Sequence, residues 1–309
     1  MTDIAQKSTQ QRVQPTPVGQ ETRFAQAIIA PAAVIVIVVM ILPIFANIYI
    51  SFYSISWGED WRFAGVNNFE ILANEPLFYI GLTNTFIWIL VVTTGTIILA
   101  FLTAALLNSD IKGKQFIIFL LLVPWVMPIP VSAVGWAWIY DGDFGILNYV
   151  LADVLGFESA RGWFWTGHPD TSFTAVMITE IWRKFPFYSI ITLAAMQTIP
   201  KTLYEAAEMD GAGPVARFFH VTLPGLKPVF VIVILLNLIW TFQAFPMIYL
   251  LTNGGPLHSS EVMGTLIYYL SFEALKFDLA AAMGTVTIGL LLIITVIYIQ
   301  FQRIMAKQR

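Results

Sequence analysis

The hydrophobic pattern of this chain consists of long, nearly unbroken apolar stretches separated by short polar connections. Six of these stretches are long enough to cross the bilayer core as α-helices, which takes roughly 20 residues. They cover residues 24–50, 85–107, 115–138, 173–197, 228–251 and 279–301. The pattern therefore predicts an all-α, polytopic membrane protein with six transmembrane helices, numbered here in chain order.

The composition agrees with a membrane location. Of 309 residues, 58% are hydrophobic and only 11% are charged, whereas soluble domains carry about 25% charged residues. The net charge of −3 argues against a nucleic-acid partner, because a phosphate-binding face needs a concentrated basic stripe. The absence of cysteine excludes disulfides, thiolate metal sites and a cysteine nucleophile. Lipid is the solvent that fits this composition.

Basic residues between the spans indicate the orientation of the chain. Eleven Lys and Arg residues fall in the N-terminal tail, the second and fourth connections and the C-terminus, and three fall in the other connections. The eleven are Lys7, Arg12, Arg23, Lys112, Lys114, Lys201, Arg217, Lys227, Arg303, Lys307 and Arg309; the three are Arg62, Arg161 and Lys276. By the positive-inside rule, both termini are predicted to be cytoplasmic. Residues 1–23 are predicted to form a disordered cytoplasmic tail, and residues 24–309 the transmembrane domain.

Charged residues interrupt the fourth predicted span. Glu180, Arg183 and Lys184 lie at i, i+3 and i+4, and Phe187 follows at i+7, so one helix face carries all four. An ionised side chain at mid-bilayer costs about 2.5–3.5 kcal/mol, so this face is not expected to contact lipid. Two compatible interpretations are open. Glu180 neutralises the two bases against a neighbouring helix, or the face forms the polar wall of a water-filled translocation cavity.

The third and fifth predicted spans carry further features that suit a cavity. Pro124 and Pro128 must interrupt the hydrogen-bond ladder of the third span, and irregular backbone at that depth needs protein or a cavity around it. Asn237, Trp240 and Thr241 share one face of the fifth span. An aromatic ring beside amide and hydroxyl groups suits a sugar, although the same residue types also serve ordinary helix packing.

The fourth connection, residues 200–224, has the pattern of a projection built from two short helices. Thr202 and Glu205 fit a capping box, and Gly211 suits the end of the first helix. Pro214 suits the start of the second helix and Pro224 its end. The apolar residues that this projection is expected to expose are Leu203, Tyr204, Phe218 and Phe219. Such a projection is shaped to dock into the cleft of a partner.

This segment resembles the EAA loop of binding-protein-dependent ABC importer permeases. Glu205-Ala206-Ala207, Gly211, Val221 and Leu223-Pro224 have the spacing of that motif, with Val221 where isoleucine is commoner. Ordered landmarks elsewhere resemble the maltose-type, carbohydrate branch of the family, and the resemblance covers about residues 25–305. These landmarks include Asn84-Thr85, Gly113-Lys114, Pro124-Trp125, Pro186-Phe187 and Thr252-Asn-Gly-Gly-Pro256.

The resemblance implies a type I ABC importer permease fold, with several passes through the bacterial inner membrane. It implies that the loop seats in a groove of a cytoplasmic ATPase. The positions expected to couple to that ATPase are Glu205, Ala206, Ala207, Asp210, Gly211, Leu223 and Pro224. Further partners implied are a second homologous permease in a heterodimer, two ATP-binding-cassette ATPase subunits in all, and an extracytoplasmic solute-binding protein. The chain has no Gly-x-x-x-x-Gly-Lys-Ser/Thr loop, so it is not expected to be an enzyme; ATP and Mg are expected on the ATPase subunits.

The resemblance also places a sugar midway across the membrane, against the third, fourth and fifth spans. The matching positions are Trp125, Ile129, Glu180, Arg183, Lys184, Phe187, Asn237, Trp240 and Thr241. Three charges at this place depart from a neutral-sugar pattern, so two substrate classes stay open. A neutral sugar or oligosaccharide would hydrogen-bond to Glu180 and Arg183, and we favour it because Glu180 offsets one base. An acidic derivative such as a phosphate, sulfonate or uronate would bind Arg183 and Lys184.

Two other classes compete with this interpretation. An ion-coupled secondary transporter would use Glu180 as a proton carrier, but it leaves the paired-helix projection unexplained, and the chain shows no internal repeat of the kind common in such folds. An intramembrane enzyme would need a catalytic or metal motif. The sequence has no His-Glu-x-x-His or Gly-x-Ser-x-Gly, and its three histidines are isolated.

Overall fold

The protein is described here by a computed structural model that covers residues 18–55, 60–242 and 244–307. Within these ranges the chain is mainly helical, which confirms the predicted all-α class. A two-stranded antiparallel hairpin pairs Tyr53–Ser54 (β1) with Arg62–Phe63 (β2). Residues 1–17 of the predicted tail lie outside the described residues.

The helices follow one another with short connections. In chain order they are α1 (18–50), α2 (Asn67–Ala73), α3 (Pro76–Leu107), α4 (Lys114–Val126), α5 (Ile129–Ile139), α6 (146–154), α7 (Pro169–Gln197), α8 (Lys201–Met209), α9 (Pro214–Phe242), α10 (Pro246–Thr252), α11 (263–273) and α12 (Phe277–Lys307). Short π-helical stretches occur in α1, α6, α9 and α11, at Ile37–Ile41, Tyr149–Val154, Phe218–Thr222 and Tyr269–Glu273.

Several of these helices match the thickness of a bilayer. Among the described residues, α1, α3, α9 and α12 are long and apolar enough to cross a membrane, and the count rises to five if the bent pair α4 and α5 forms one span. Helix α7 has 29 residues, but its charged residues lower its apolar character. Six spans with both termini in the cytoplasm therefore stay a prediction.

Two helices begin earlier than the sequence pattern predicted. Helix α1 begins at Val18, so residues 18–23 are helical and do not belong to a disordered tail. Helix α3 begins at Pro76 rather than at residue 85. Proline is well suited to the first turn of a helix, where its missing N–H would have no partner anyway.

The third predicted span consists of two helices rather than one. Helix α4 ends at Val126, α5 begins at Ile129, and the two are bent by 97°. Met127 has an extended backbone conformation, because a residue that precedes proline is disfavoured in the helical region. Pro128 follows it as the N-cap of α5. The predicted interruption of this span is confirmed at Pro128, whereas Pro124 lies inside α4 and does not end it.

The fifth predicted span is part of a longer helix. Helix α9 starts at Pro214, on the predicted cytoplasmic side, and continues to Phe242. The prediction that Pro224 ends the second cytoplasmic helix is therefore wrong. The π-helical stretch Phe218–Thr222 ends two residues before Pro224. We attribute the continuity of the helix to the wider π turn, which accommodates the missing proline N–H.

Helices α3 and α7 pack side by side at the centre of the fold. Gly95 permits their close approach, because a Cβ atom there would lie 2.6 Å from Ile181 Cδ1. Helix α9 joins them through Trp88, whose indole Nε1 donates to the Thr241 carbonyl oxygen at 3.1 Å. The centre of the molecule is thus built from the second, fourth and fifth predicted spans.

Helix α1 is exposed along most of its length and meets the rest of the fold near its C-terminal end. The amide of Asn47 donates to the Ala281 carbonyl oxygen at 3.1 Å and to Thr285 Oγ1 at 3.2 Å. Both acceptors belong to α12, so the first and last long helices are paired by a polar contact.

Candidate functional site

Three charged side chains form a buried ion cluster on α7. Glu180 Oε1 lies 2.8 Å from Arg183 Nη2 and 3.0 Å from Lys184 Nζ, and Arg183 Nε donates to Glu180 Oε2 at 3.0 Å. The side chains of Glu180 and Lys184 are 7% exposed, and that of Arg183 is 16% exposed. The predicted helical ion pair is confirmed. With two cations and one anion, the cluster carries one net positive charge when all three groups are ionised.

Lys184 links α7 to α9. Besides Glu180, its Nζ donates to Thr241 Oγ1 at 3.1 Å, and the Thr241 hydroxyl donates to Asn237 Oδ1 at 2.7 Å. All four side chains are buried. A continuous polar chain thus runs from the carboxylate on α7 to the amide on α9.

A cavity of about 300 Å³ lies beside this cluster, which is within the range of small-ligand pockets. It is bounded by α3, the α4–α5 bend, α7, α9 and the start of α10. Its lining residues are Trp88, Trp125, Ile129, Glu180, Arg183, Lys184, Tyr188, Trp240, Thr241, Ala244, Phe245, Pro246 and Met247. Charged and aromatic side chains therefore share one concave surface.

The structure brings the predicted substrate-site residues together. Seven of the nine line the cavity, and Phe187 and Asn237 lie behind it. The Phe187 ring stacks on Trp125 with ring centres 4.7 Å apart and lies 5.7 Å from Trp240. Asn237 is fully buried and supports Thr241. These two residues hold the lining in place.

The sequence interpretation missed part of the lining. Tyr188 is 1% exposed, and its hydroxyl has no hydrogen-bond partner within the described part of the chain. It follows Lys184 by one helical turn, so its spacing was a usable signal. Trp88 lies in the second span, outside the three spans that the resemblance indicated. Residues 244–247 line the cavity because the chain turns toward it between α9 and α10.

The segment predicted to be cytoplasmic forms α8 and the beginning of α9. Helix α8 ends at Met209, and Gly211 adopts a φ of 78°, which confirms the predicted glycine stop. Pro200 is the N-cap and no side chain caps the helix, so the predicted capping box of Thr202 and Glu205 is wrong. The helix starts one residue after Pro200, which places Thr202 inside the first turn.

Most of the predicted coupling residues are accessible. Ala207 is half-buried, and Glu205, Ala206, Asp210, Gly211, Leu223 and Pro224 are exposed. Arg217 Nη1 and Glu208 Oε2 are 3.0 Å apart and join α8 to α9.

Only part of the predicted apolar surface of this segment is exposed. Leu203 is 51% and Phe219 56% exposed. The Tyr204 hydroxyl instead lies 3.0 Å from that of Thr222. Phe218 packs on Phe101 with ring centres 4.9 Å apart. The prediction that Tyr204 and Phe218 are exposed is therefore wrong, because both pack against neighbouring helices.

A second buried carboxyl lies in the connection between α10 and α11. Glu261 is 4% exposed, and its Oε2 accepts a hydrogen bond from Thr265 Oγ1 at 2.5 Å. Burial raises the pKa of Glu261, although this hydrogen bond acts in the opposite direction. The amide of Asn84 donates to the Glu261 carbonyl oxygen at 2.9 Å and so ties α3 to this connection. Across the described residues, no group of His, Asp and Glu is arranged to hold a metal ion.

Comparisons with known proteins all match this chain to membrane components of transport systems. A family model described as "Binding-protein-dependent transport system inner membrane component" matches residues 23–309. The chain is 32% identical over 281 residues to the sulfoquinovosyl glycerol transport system permease protein SmoG of Agrobacterium fabrum, covering 90% of each protein. It is 30% identical over 285 residues to the trehalose/maltose transport system permease protein MalF of Thermococcus litoralis, covering 92% of this chain and 95% of that protein.

A solved structure supports the fold. The chain aligns with a subunit of a bacterial ABC transporter involved in the import of the acidic polysaccharide alginate, with a TM-score of 0.79 and 20% identity. The alignment covers 92% of this chain and 96% of that subunit.

Proposed function

This chain belongs to the family of binding-protein-dependent transport system inner membrane components, and we propose that it forms part of the membrane pathway that imports a sugar or oligosaccharide. It is a multi-pass protein of the bacterial inner membrane. The observation that carries the proposal is the cavity beside the Glu180 cluster, because it joins hydrogen-bonding groups to aromatic faces among helices that are otherwise apolar. Charged groups in such helices are costly and typically line a substrate path.

The chemistry of the cavity suits a carbohydrate. Trp125 and Trp240 offer ring faces for the apolar side of a pyranose. Glu180, Arg183 and Thr241 offer acceptors and donors for its hydroxyl groups. The relatives named above as transporters of sulfoquinovosyl glycerol and of trehalose or maltose support the same substrate class.

The exposed loop around Glu205 and Gly211 supports a proposed coupling role. We propose that it docks into a cytoplasmic ATPase of the ATP-binding-cassette type, and that ATP binding there tilts the spans around the cavity. The complete importer would contain a second homologous permease, two such ATPase subunits and an extracytoplasmic solute-binding protein. ATP and Mg would bind to the ATPase subunits and not to this chain.

Uptake by the complete importer tests this function. In proteoliposomes that contain the chain with its partner subunits and binding protein, uptake of radiolabelled maltose, trehalose and sulfoquinovosyl glycerol is measured with and without ATP. We expect uptake of at least one sugar to require ATP and to stop when the P-loop lysine of the ATPase is replaced. Uptake driven by a proton or sodium gradient, independent of the ATPase, would instead support an ion-coupled transporter.

A further inference from the structure

We infer that Arg183 determines substrate specificity and selects a sugar that carries an anionic group, such as a carboxylate, sulfonate or phosphate. The inference rests on the proposed function and narrows its substrate class. It follows from the hydrogen-bond partners of Arg183 and Lys184, the two bases of the α7 cluster.

Arg183 is oriented with one edge of its guanidinium group left available. Its Nε and Nη2 atoms donate to the two oxygens of Glu180, at 3.0 and 2.8 Å. Within the described chain, Nη1 has no hydrogen-bond acceptor. A guanidinium group has a second fork, made by Nη1 and the other proton of Nη2, and this fork matches the two oxygens of an anionic group. Arg183 lines the cavity and is the most exposed member of the cluster.

Lys184 has a different part in the cluster. Its ammonium group bonds to both Glu180 and Thr241 and is almost fully buried. Two of its three donors are therefore used in holding α7 against α9. Lys184 is a positioning residue, and the two basic residues, which the sequence interpretation treated as equivalent anion ligands, are distinct.

The charge balance of the cavity favours an anionic ligand. Glu180 supplies the one acidic side chain among the lining residues, against two basic ones. A buried charge without a counter-charge is costly in surroundings of low polarity. A neutral sugar leaves this excess in place, whereas one carboxylate, sulfonate or phosphate offsets it. This inference differs from the sequence-based preference for a neutral sugar, because the single carboxylate of Glu180 is shared by two bases.

A second donor lies beside Arg183 on the same helix. The Tyr188 side chain lines the cavity, and its hydroxyl group, which is buried, has no partner in the described structure. Leaving such a group without a partner costs about 1–3 kcal/mol. A bound acidic sugar would reach this hydroxyl only if the Tyr188 side chain moved toward the cavity. Arg183 therefore provides the accessible donors on this wall, and Trp125 and Trp240 provide the ring faces.

Matched pairs of sugars test the inference. The membrane complex of the two permeases and the two ATPase subunits, purified in lipid nanodiscs without the solute-binding protein, is titrated by calorimetry with three acidic sugars, which are glucuronate, sulfoquinovose and glucose 6-phosphate. It is also titrated with two neutral sugars, glucose and the methyl ester of glucuronate. We expect at least one acidic sugar to bind about 10- to 100-fold more tightly than its neutral counterpart, as one charged hydrogen-bonded contact implies. The Arg183→Gln variant should bind the acidic and neutral sugars with affinities equal within about twofold, the limit of such a comparison.

Two variants separate recognition by the guanidinium fork from charge alone and from folding. Arg183→Lys keeps the positive charge but loses the fork, so most of the preference should disappear. Arg161→Gln removes an arginine that pairs with Asp153 and Glu158 far along the chain from the cavity lining, and it should leave the preference unchanged. For each variant the ratio of acidic to neutral affinity is compared, so that a general loss of sugar affinity does not affect the result, and the melting temperature reports whether the variant is folded.

The outcomes distinguish the inference from the proposed function. Equal affinity for acidic and neutral sugars in the unmodified importer, or a preference that survives Arg183→Gln, would overturn the role of Arg183 while leaving sugar import intact. Failure of every sugar to bind or to be transported would contradict the proposed function itself.

Discussion

At the residue scale, the cluster on α7 shows how a membrane protein tolerates three buried charges. Glu180 binds both bases, and Lys184 finds a further oxygen on Thr241 of α9. Removing one partner from such a network leaves a buried polar group without a hydrogen bond, which costs more than the bond itself contributes. The hydroxyl of Thr241 is central, because it accepts from Lys184 and donates to Asn237.

We expect Thr241→Val to destabilise the protein by about 1–3 kcal/mol, since valine has nearly the same shape but cannot make either bond. The measurement is the melting temperature of the detergent-solubilised protein, which should fall. Thr287→Val is the control, because the Thr287 hydroxyl bonds to the Met283 carbonyl oxygen of its own helix. A melting temperature of Thr241→Val equal to that of the control would show that the α7–α9 bond adds no stability.

At the element scale, the contact between α3 and α7 depends on the absence of a side chain at Gly95. The space for a Cβ atom at this position is occupied by Ile181 Cδ1 of α7. In a helix, alanine is otherwise favoured over glycine by about 1 kcal/mol. The close approach therefore accounts for glycine at this point better than local helix preference does.

Gly95→Ala should consequently destabilise the protein by about 1–3 kcal/mol through overpacking. Gly289→Ala is a matched control on α12, where a Cβ atom would meet nothing within 4 Å, and it should be neutral or stabilising. Combining Gly95→Ala with Ile181→Val, which removes the obstructing Cδ1 atom, should recover part of the loss. Thermal unfolding of Gly95→Ala, of Ile181→Val and of the double variant gives the coupling energy between the two positions. Additive effects of the two substitutions would contradict the proposed contact.

At the scale of the whole molecule, the projection that is predicted to be cytoplasmic and the cavity share one helix. Helix α9 extends over 29 residues from Pro214, beside the projection, to Phe242, beside the cavity. At 1.5 Å per residue this corresponds to roughly 43 Å. Trp240 and Thr241 lie at its far end and line the cavity. A displacement of the projection by an ATPase would therefore move the cavity wall directly, because no loop separates the two.

This arrangement predicts a selective effect at the exposed Glu205. Glu205→Gln should reduce ATP-driven uptake about tenfold or more, as expected when a charged contact with a partner is lost. It should leave the melting temperature unchanged, because an exposed side chain contributes little to stability. Glu70→Gln, an exposed carboxylate on α2, serves as the control. Normal uptake by Glu205→Gln would contradict the proposed docking of this loop.

Local chemistry was sufficient to predict most of the elements. Proline at position 128 interrupts the third span and glycine at 211 ends α8, because both effects act within a few residues. The ion pair of Glu180 and Lys184 follows from helical spacing in the same way. The family resemblance indicated nine candidate residues for one substrate site. Seven of these nine residues line the cavity.

The sequence by itself therefore determined that this is a helical membrane protein with a charged face in one helix and an exposed loop of the importer type. Only the tertiary structure decided that Lys184 binds Thr241 while Arg183 keeps a free edge, that Tyr188 lacks a partner, and that Trp88 joins the lining. The reason is physical. Spacing along a helix fixes which side chains share a face, but which atoms remain available for a ligand depends on the helices packed against that face.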